Sequence, residues 1–241
     1  MSSKIRLYFS KELKANLLSN LSAEQSHYIK NVMRLKPGDT ISLFNSANGE
    51  WTAKIVSYNK ENTDFKVEKL IEHKKSENDL WLAFSPIKKN PLDMMIQKTT
   101  ELGIQKFIPI LSERTIVKEI NVERLKKIII EASEQSNRIS IPEIKNLENL
   151  KDFLSKFPND GSLIFCDINC KKNDLKNILS KKKQGPVCIL IGPEGDFSEK
   201  ESQLIIEKKE IFSLSLANNI LRTETAAIAS VTIVNYHLNL N

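Results

Sequence analysis

The sequence predicts an α/β protein in two parts, a small β-rich domain over residues 1–73 and a larger α/β domain over residues 80–241. Strand-like runs dominate the first part, whereas strands and helices alternate along the second. That alternation is the pattern of a mostly parallel sheet covered by helices. Between the parts, residues 72–79 (EHKKSEND) are polar and charged, which is typical of a linker.

The first part combines one helix with several strands. Residues 5–9 alternate like a strand, and Ser22 with Gln25 forms a capping-box signature that opens a helix to about residue 35. Pro37 and Gly38 then make a turn. Further strands are predicted over residues 40–45, 51–58 and 65–71.

The second part is a regular succession of elements. Apolar residues at helical spacing run from Leu92 to Leu102, and Gly103 supplies a stop for that helix. Ser198 and Glu201 form a second capping box. Strands are predicted over residues 80–85, 107–111, 162–166, 187–191 and 212–216, and helices over residues 92–102, 122–132, 174–182, 198–208 and 223–238.

Composition narrows the class of protein. Of the 241 residues, 40% are hydrophobic, which is enough to form a buried core. No apolar run approaches the ~18 residues that a membrane-spanning helix needs. The polar start of the chain is unlike a signal peptide. We therefore expect a cytoplasmic protein with no membrane partner.

The cysteines and histidines predict no metal site. Cys166, Cys170 and Cys188 form neither a disulfide framework nor paired CxxC motifs, and the three histidines are scattered. The net charge of +6 suits a polyanionic partner such as RNA, although solvated surface lysines explain it equally well. Only six of the 36 basic residues are arginines, so each arginine is a candidate for a place where a planar, bidentate donor matters.

Two strand-to-helix loops of the second part are candidates for ligand binding, because parallel sheets bind ligands at the carboxyl ends of their strands. The first loop, residues 190–198 (LIGPEGDFS), follows a wholly apolar strand. Its Gly192 and Gly195 permit positive φ and a close approach of the backbone to a ligand, and Pro193 stiffens the turn. An ordinary strand-to-helix turn is also compatible with this sequence.

The second loop, residues 216–227 (LANNILRTETAA), also connects a strand to a helix. Arg222 lies at the start of that helix, where the helix dipole disfavours a cation. A functional role explains this position, and a surface arginine without a role is the alternative. The chain has no GxGxxG, GxxxxGK[ST] or GxSxG motif, which argues against a Rossmann dinucleotide site, a P-loop and a hydrolase nucleophile elbow.

Together these loops resemble the 16S ribosomal RNA uridine-N3 methyltransferase family (RsmE type) of the SPOUT superfamily. Residues 27–39, 96–117 and 131–142, and the strand that holds Arg6, also resemble that family, so the likeness covers nearly the whole chain. Two positions depart from it, because the family usually has glycine where this chain has Asp196 and Ala217. Asp196 adds a side chain and a charge to the loop, and Ala217 would be strained if its position needed positive φ.

The resemblance implies an N-terminal PUA-like RNA-binding β-barrel and a C-terminal SPOUT domain whose parallel sheet ends in a trefoil knot. It also implies a homodimer. The implied reaction is methylation of N3 of a uridine in 16S ribosomal RNA, within the small ribosomal subunit. The implied cofactor is S-adenosyl-L-methionine, bound between the two loops. The residues expected to bind this cofactor are Leu190, Ile191, Gly192, Pro193, Glu194, Gly195, Leu216, Ala217, Asn218, Ile220, Leu221, Arg222, Thr225 and Ala226.

For catalysis, the resemblance and the chemistry of uracil point to Arg222, Arg114 and Glu194. A guanidinium stabilises the negative charge that spreads onto the uracil carbonyl oxygens when N3 loses its proton. Glu194 and Glu224 are candidate proton acceptors. The arginines expected to contact RNA are Arg6, Arg34, Arg114 and Arg138. Two alternatives stay open here: a non-catalytic RNA-binding protein on the same scaffold, and a SPOUT enzyme that methylates ribose or guanine.

Overall fold

The computed structural model describes residues 5–60, 62–73, 77–170, 175–180, 182, 184–208 and 211–239. The chain divides into two compact units, Met1–Ser76 with Ser133–Ile141 and Glu77–Ala132 with Pro142–Asn241. The break after Ser76 falls within the predicted linker. The sequence does not predict the return of Ser133–Ile141 to the first unit, and because of that return a single cut in the linker would not separate the two units. That residues 1–73 and 80–241 form two separate domains stays a prediction.

The first unit is built mainly from strands. Its elements within the described residues are β1 (Arg6–Tyr8), β2 (Leu18–Asn20), α1 (Ala23–His27), β3 (Thr40–Asn45), β4 (Gly49–Tyr58) and β5 (Thr63–Glu72). The strands form one sheet in the order β1-β3-β4-β5-β2, with β1 parallel to β3 and the other pairs antiparallel. Alternate strand residues such as Leu7, Leu43 and Phe65 are buried and form its core.

The helix of the first unit begins where the sequence predicts and ends earlier. The capping box is confirmed, since the Gln25 amide donates to Ser22 Oγ at 3.2 Å and the Gln25 side chain accepts from the Ser22 amide. After α1 the chain continues as a π-helical turn, Tyr28–Val32, and Arg34 then has a φ of +54°. A residue in this left-handed region ends a helix, so the predicted extent to about residue 35 is too long.

Arg6 holds the returning segment within the first unit. Its guanidinium donates to the carbonyl oxygens of Ser133 and Arg138 at 2.9 and 2.6 Å, and it pairs with Glu50 at 2.8 Å. Its Cζ also lies 3.6 Å from the centroid of the Phe44 ring. The side chain is only 8% exposed. These partners compensate the burial of its charge, as a buried ion requires.

The second unit is dominated by a parallel sheet. The elements from residue 80 onward are β6 (Leu80–Phe84), α2 (Lys89–Glu101), β7 (Lys106–Leu111), α3 (Val122–Gln135), β8 (Glu143–Ile144), β9 (Glu148–Asn149), α4 (Leu150–Lys156), β10 (Ser162–Cys166), α5 (Leu175–Ser180), β11 (Val187–Ile191), α6 (Glu199–Ile206), β12 (Ile211–Leu214) and α7 (Thr223–Asn239). The sheet runs β12-β10-β11-β6-β7-β8, and β9 pairs with β7. Every pair in it is parallel, which confirms the predicted α/β class.

Local patterns explain most of these elements. All of β11 is buried, because it lies between β10 and β6, and this is why the strand is wholly apolar. Gly103 has a φ of +104° and ends α2 as predicted. Neither β8 nor β9 is predicted from the sequence, because both are too short to show a pattern, and α4 is not predicted either. Of the helix predicted over residues 174–182, α5 is the central part, and residue 174 lies outside the described residues.

The sheet order also decides what surrounds the two predicted loops. Since β10 lies between β11 and β12, the segments that follow these three strands meet at one edge of the sheet. The strand predicted over residues 212–216 is β12 (Ile211–Leu214), which ends two residues earlier than predicted, so the second loop begins directly after Leu214. Among the described residues, no helix is both long and apolar enough to cross a bilayer.

Candidate active site

A cavity of about 610 Å³ lies at the carboxyl edge of the sheet in the second unit. Its wall consists of residues 166–168, 191–194, 196, 214–224 and 226, together with Lys88 and Pro91 from the region where α2 begins. The segments after β10, β11 and β12 and the first turn of α7 therefore all line the cavity. This is the place where open parallel sheets bind their ligands.

The two predicted loops both contribute to this wall. Of the residues predicted to bind a cofactor, all line the cavity except Leu190, Gly195 and Thr225. Leu190 is fully buried in the sheet core, and Thr225 is exposed outside the cavity lining. The structure thus brings most of the predicted cofactor-binding residues together around one cavity. That these residues bind the cofactor stays a prediction.

One side of the cavity was missed by the sequence analysis. Cys166, the last residue of β10, and Asp167 and Ile168, which follow it, line the cavity between the two predicted loops. The signal available in the sequence was the loop that follows the strand predicted over residues 162–166 and leads to the next predicted helix, as in the other two loops. Burial of the sulfur raises the pKa of Cys166 to about 12, so this thiol is protonated and is not a nucleophile at neutral pH.

The backbone of the first loop differs from the prediction at three positions. Neither Gly192 nor Gly195 has positive φ; the left-handed residue of the loop is Asp196, with a φ of +60°. Asp196 Oδ1 accepts from the Phe197 amide at 2.8 Å, and its own amide donates to the Pro193 carbonyl at 2.9 Å. Aspartate tolerates this conformation better than most residues because its short side chain bonds locally.

The space beside Gly192 is tight, whereas its φ angle is not positive. A Cβ atom at Gly192 would lie 3.0 Å from the Phe197 ring, which is closer than packed side chains normally approach. A Cβ atom at Gly195 would lie 3.6 Å from the Cβ of Arg114, an ordinary contact. Ala217 is not among the residues with positive φ, so the strain considered for alanine there does not arise.

Arg114 supports the first loop from outside the cavity. Its Nη1 donates to the carbonyl oxygens of Gly195 and Phe197 at 2.9 and 3.3 Å. Arg114 does not line the main cavity, although it borders a small neighbouring cleft together with Lys88, Pro193 and Glu194. The geometry therefore shows a contact of Arg114 with the loop, and its predicted catalytic and RNA-binding roles stay predictions.

The turn that carries Arg114 is itself fixed by hydrogen bonds. The Ser112 amide donates to Thr115 Oγ1 at 3.0 Å, and the two hydroxyl groups lie 2.7 Å apart. The Glu113 amide donates to Glu201 Oε1 at 2.8 Å, while the other carboxylate oxygen of Glu201 accepts from the Ser198 amide at 3.0 Å. The predicted capping box of α6 thus also ties this turn to the first loop.

The first turn of α7 forms another side of the cavity. The carbonyl of Arg222 accepts from the Ala226 amide at 2.8 Å, so Arg222 is the N-cap residue and the amides just after it have no acceptor within the helix. Thr223 Oγ1 donates to the Gly192 carbonyl at 3.4 Å, which links the two loops. The Arg222 side chain is exposed and, within the described part of the chain, has no hydrogen-bond or ion-pair partner.

The remaining predicted arginines occupy two kinds of environment. Both Arg6, whose side chain is 8% exposed, and the buried Arg138 belong to the first unit. Arg6 has the partners described above, and Arg138 donates to Ser140 Oγ at 2.9 Å. Their burial and protein partners favour a structural role over the predicted RNA-binding role. Arg34 is exposed, as an RNA contact requires.

Comparison with known protein families gives the class of enzyme to which this fold and site belong. A family model described as an RNA methyltransferase domain matches residues 73–235, and a model described as an RNA methyltransferase PUA domain matches residues 21–68. The class is therefore that of RNA methyltransferases with an N-terminal PUA domain, and the parallel-sheet unit is of the SPOUT type.

Within that class, the chain belongs to the ribosomal RNA small subunit methyltransferase E family. It is 35% identical over 228 residues to the protein of that name from Rickettsia conorii, covering 94% of this chain and 93% of the relative. It is 28% identical over 233 residues to the one from Bacillus subtilis, covering 92% and 91%. The predicted family is thereby confirmed.

Solved structures agree with this placement. The Neisseria gonorrhoeae ribosomal RNA small subunit methyltransferase E, bound to S-adenosyl methionine, has a TM-score of 0.85 and 26% identity, with 96% of this chain and 97% of that chain covered. A putative methyltransferase from Legionella pneumophila, in complex with the same cofactor, has a TM-score of 0.84 and 30% identity, with the same coverage of both chains.

Proposed function

We propose that this protein transfers a methyl group from S-adenosyl-L-methionine to N3 of a uridine in 16S ribosomal RNA, within the small ribosomal subunit in the cytoplasm. The observation that carries the proposal is the cavity where the two predicted loops meet at the carboxyl edge of the sheet. Relatives with the same fold over nearly their whole length bind S-adenosylmethionine, and others are named for small-subunit ribosomal RNA.

The cavity fits this cofactor in size and in chemistry. Its volume of about 610 Å³ lies within the range of small-molecule sites, roughly 300–1,000 Å³. Apolar side chains such as Ile191 and Leu216 lie beside backbone segments that offer amides and carbonyls. Gly192 keeps one wall free of a side chain.

The residues of the site align and stabilise the reacting groups. The bound cofactor supplies a methyl group that its sulfonium already activates, so no nucleophile of the protein is needed. Arg222 lies at the cavity with its guanidinium unpaired, and it stabilises the negative charge that develops on the uracil oxygens as N3 loses its proton. Glu194, exposed at the same cavity, is the proposed acceptor of that proton.

Two exposed cations, one beside the cavity and one in the first unit, suit the phosphates of RNA. Lys88 is exposed and borders both the main cavity and the small cleft beside Arg114. Arg34 is exposed in the first unit, which belongs to the PUA class. We assign both residues to RNA backbone contacts, because phosphate contacts supply most of the affinity between proteins and nucleic acids.

The test of the proposed function has two measurements. Calorimetry of the purified protein should give one S-adenosylmethionine site per chain, and incubation with small subunits from cells that lack the protein should transfer one methyl group to 16S ribosomal RNA. Mass spectrometry of the digested RNA should identify 3-methyluridine. Absence of cofactor binding would favour the non-catalytic RNA-binding alternative, whereas a methylated ribose or guanine would move the enzyme to another acceptor.

We also propose a homodimer and a trefoil knot in the second unit, both implied by the resemblance. An exposed face of α7 supports the dimer: Ile233 and Tyr236 are 38% and 63% exposed, one helical turn apart, whereas Val231 and Val234 are fully buried on the opposite face. Light scattering at micromolar concentration should give the mass of two chains, and Tyr236→Glu should lower it to that of one. A single-chain mass for the unaltered protein would refute the dimer.

A further inference from the structure

Glu224 differs from the other charged residues that line the cavity. Lys88, Glu194 and Arg222 are exposed, and Asp167 and Asp196 are partly exposed with backbone amides as hydrogen-bond donors. Glu224 is 8% exposed, and its carboxylate has no hydrogen-bond or ion-pair partner among the described residues. Glu224 is therefore the most buried of the charged side chains that line the cavity, and its negative charge is not compensated within the described residues.

Glu201 shows what a buried carboxylate requires in this fold. It is also 8% exposed and lies in the first turn of a helix, yet it accepts hydrogen bonds from the amides of Glu113 and Ser198. Glu224 is the second residue of α7, so the helix dipole favours its charge. An exposed carboxylate such as Glu199 meets the same dipole in α6 without desolvation. The dipole alone thus does not explain why Glu224 is buried.

We propose that Glu224 is the counter-charge for the positive charge of the cofactor, and that it makes the site prefer S-adenosylmethionine to the demethylated product. This inference rests on the proposed function. S-adenosylmethionine carries a sulfonium and an ammonium against one carboxylate, and its net charge is positive. S-adenosylhomocysteine has lost the sulfonium charge and is neutral overall. A carboxylate on a largely buried side chain, without a partner of its own among the described residues, interacts more strongly with the first ligand than with the second.

The distribution of charge around the cavity agrees with this role. Arg222 and Glu224 are separated by one residue, yet the arginine is exposed and the glutamate is buried. The exposed cations, Arg222 and Lys88, suit a polyanionic RNA that arrives from solvent, whereas the buried anion suits a cationic small molecule. RNA and the cofactor are thereby attracted to different parts of one site. Because the sulfonium charge is lost during methyl transfer, the protein binds the product, S-adenosylhomocysteine, more weakly.

The experiment is calorimetric titration of the full chain with three ligands: S-adenosylmethionine, S-adenosylhomocysteine and sinefungin, which has a protonated amine in place of the methylsulfonium. Glu224→Gln should weaken S-adenosylmethionine and sinefungin on the order of 10- to 100-fold. It should weaken S-adenosylhomocysteine by less than about threefold. Glu199→Gln, which removes the same charge at an exposed helix start outside the cavity, should leave all three affinities unchanged.

Other outcomes would overturn the inference. Equal losses for the three ligands would place Glu224 at a part of the cofactor that all three share, such as the ribose. Unchanged affinities with slower methyl transfer would make Glu224 a proton acceptor instead. Where the glutamine variant does not fold, Glu224→Asp keeps the charge, and it must retain the preference for the two cationic ligands. If the unaltered protein binds none of the three ligands, the proposed function itself fails.

Discussion

Arg114 Nη1 donates to the carbonyl oxygen of Gly195 at 2.9 Å, and this bond joins the turn after β7 to the loop after β11. The same nitrogen reaches the Phe197 carbonyl at 3.3 Å. One side chain therefore fixes two successive points of the loop that forms one wall of the cavity. The loop contains Pro193 and Asp196 and has few other side-chain partners in the described structure.

The first prediction concerns this support. Arg114→Met should loosen the loop and weaken S-adenosylmethionine binding by about tenfold, or about 1.4 kcal/mol, because it removes charge-assisted hydrogen bonds to the loop. Thermal unfolding should change little, since the Arg114 side chain is exposed. Arg34→Met, at an exposed arginine of the first unit, is the matched control for cofactor binding. Unaltered cofactor affinity in the Arg114 variant would show that the loop keeps its shape without this contact.

The second prediction concerns the proposed catalytic arginine. Arg222→Lys keeps the positive charge but loses the planar fork, so the rate of methyl transfer should fall by about 10²–10³. Cofactor affinity should change much less, because a group that acts in the transition state lowers kcat rather than ground-state binding. Single-turnover transfer to ribosomal RNA and calorimetry together test this. A lysine variant with a nearly normal rate would remove Arg222 from the mechanism.

The third prediction follows from the φ of +60° at Asp196. Asp196→Ala should lower the free energy of unfolding by about 1–2 kcal/mol, because alanine has neither the freedom of glycine nor the hydrogen bond to the Phe197 amide. Asp196→Gly should stay close to the unaltered protein, since relief of backbone strain offsets the lost bond. Chemical denaturation of both variants measures this difference. Equal stabilities would mean that the left-handed conformation is not retained in solution.

The fourth prediction compares two glycines of the first unit. Gly38 and Gly49 both have positive φ, but a Cβ atom at Gly49 would lie 2.4 Å from the Glu72 carbonyl oxygen, whereas one at Gly38 would meet nothing within 4 Å. Gly38→Ala should therefore cost only the backbone strain, about 1–2 kcal/mol. Gly49→Ala should cost clearly more, since β4 and β5 must separate there. Similar midpoints of denaturation for the two variants would contradict the close packing at Gly49.

Local chemistry in the sequence was sufficient to identify much of the site. The capping residues Ser22 and Ser198, the stop at Gly103 and the apolar run of β11 depend on residue type and short spacing, and the structure agrees with each of them. Both loops of the cavity were identified because a loop between a parallel strand and a helix is recognisable from neighbouring residues alone. The family likewise followed from the residues of these loops.

What the sequence by itself determined about this protein is thus most of its strands and helices, its two loops and its family, since these depend on contacts between near neighbours in the chain. Only the tertiary structure decided the rest. The place of β10 between β11 and β12 brings Cys166 into the cavity. Packing buries Arg6 against the carbonyl of Ser133 and leaves Arg222 exposed next to the buried Glu224. Strand order, and the burial of charged side chains such as Arg6 and Glu224, arise from contacts between residues far apart in sequence, and a short-range pattern does not determine them.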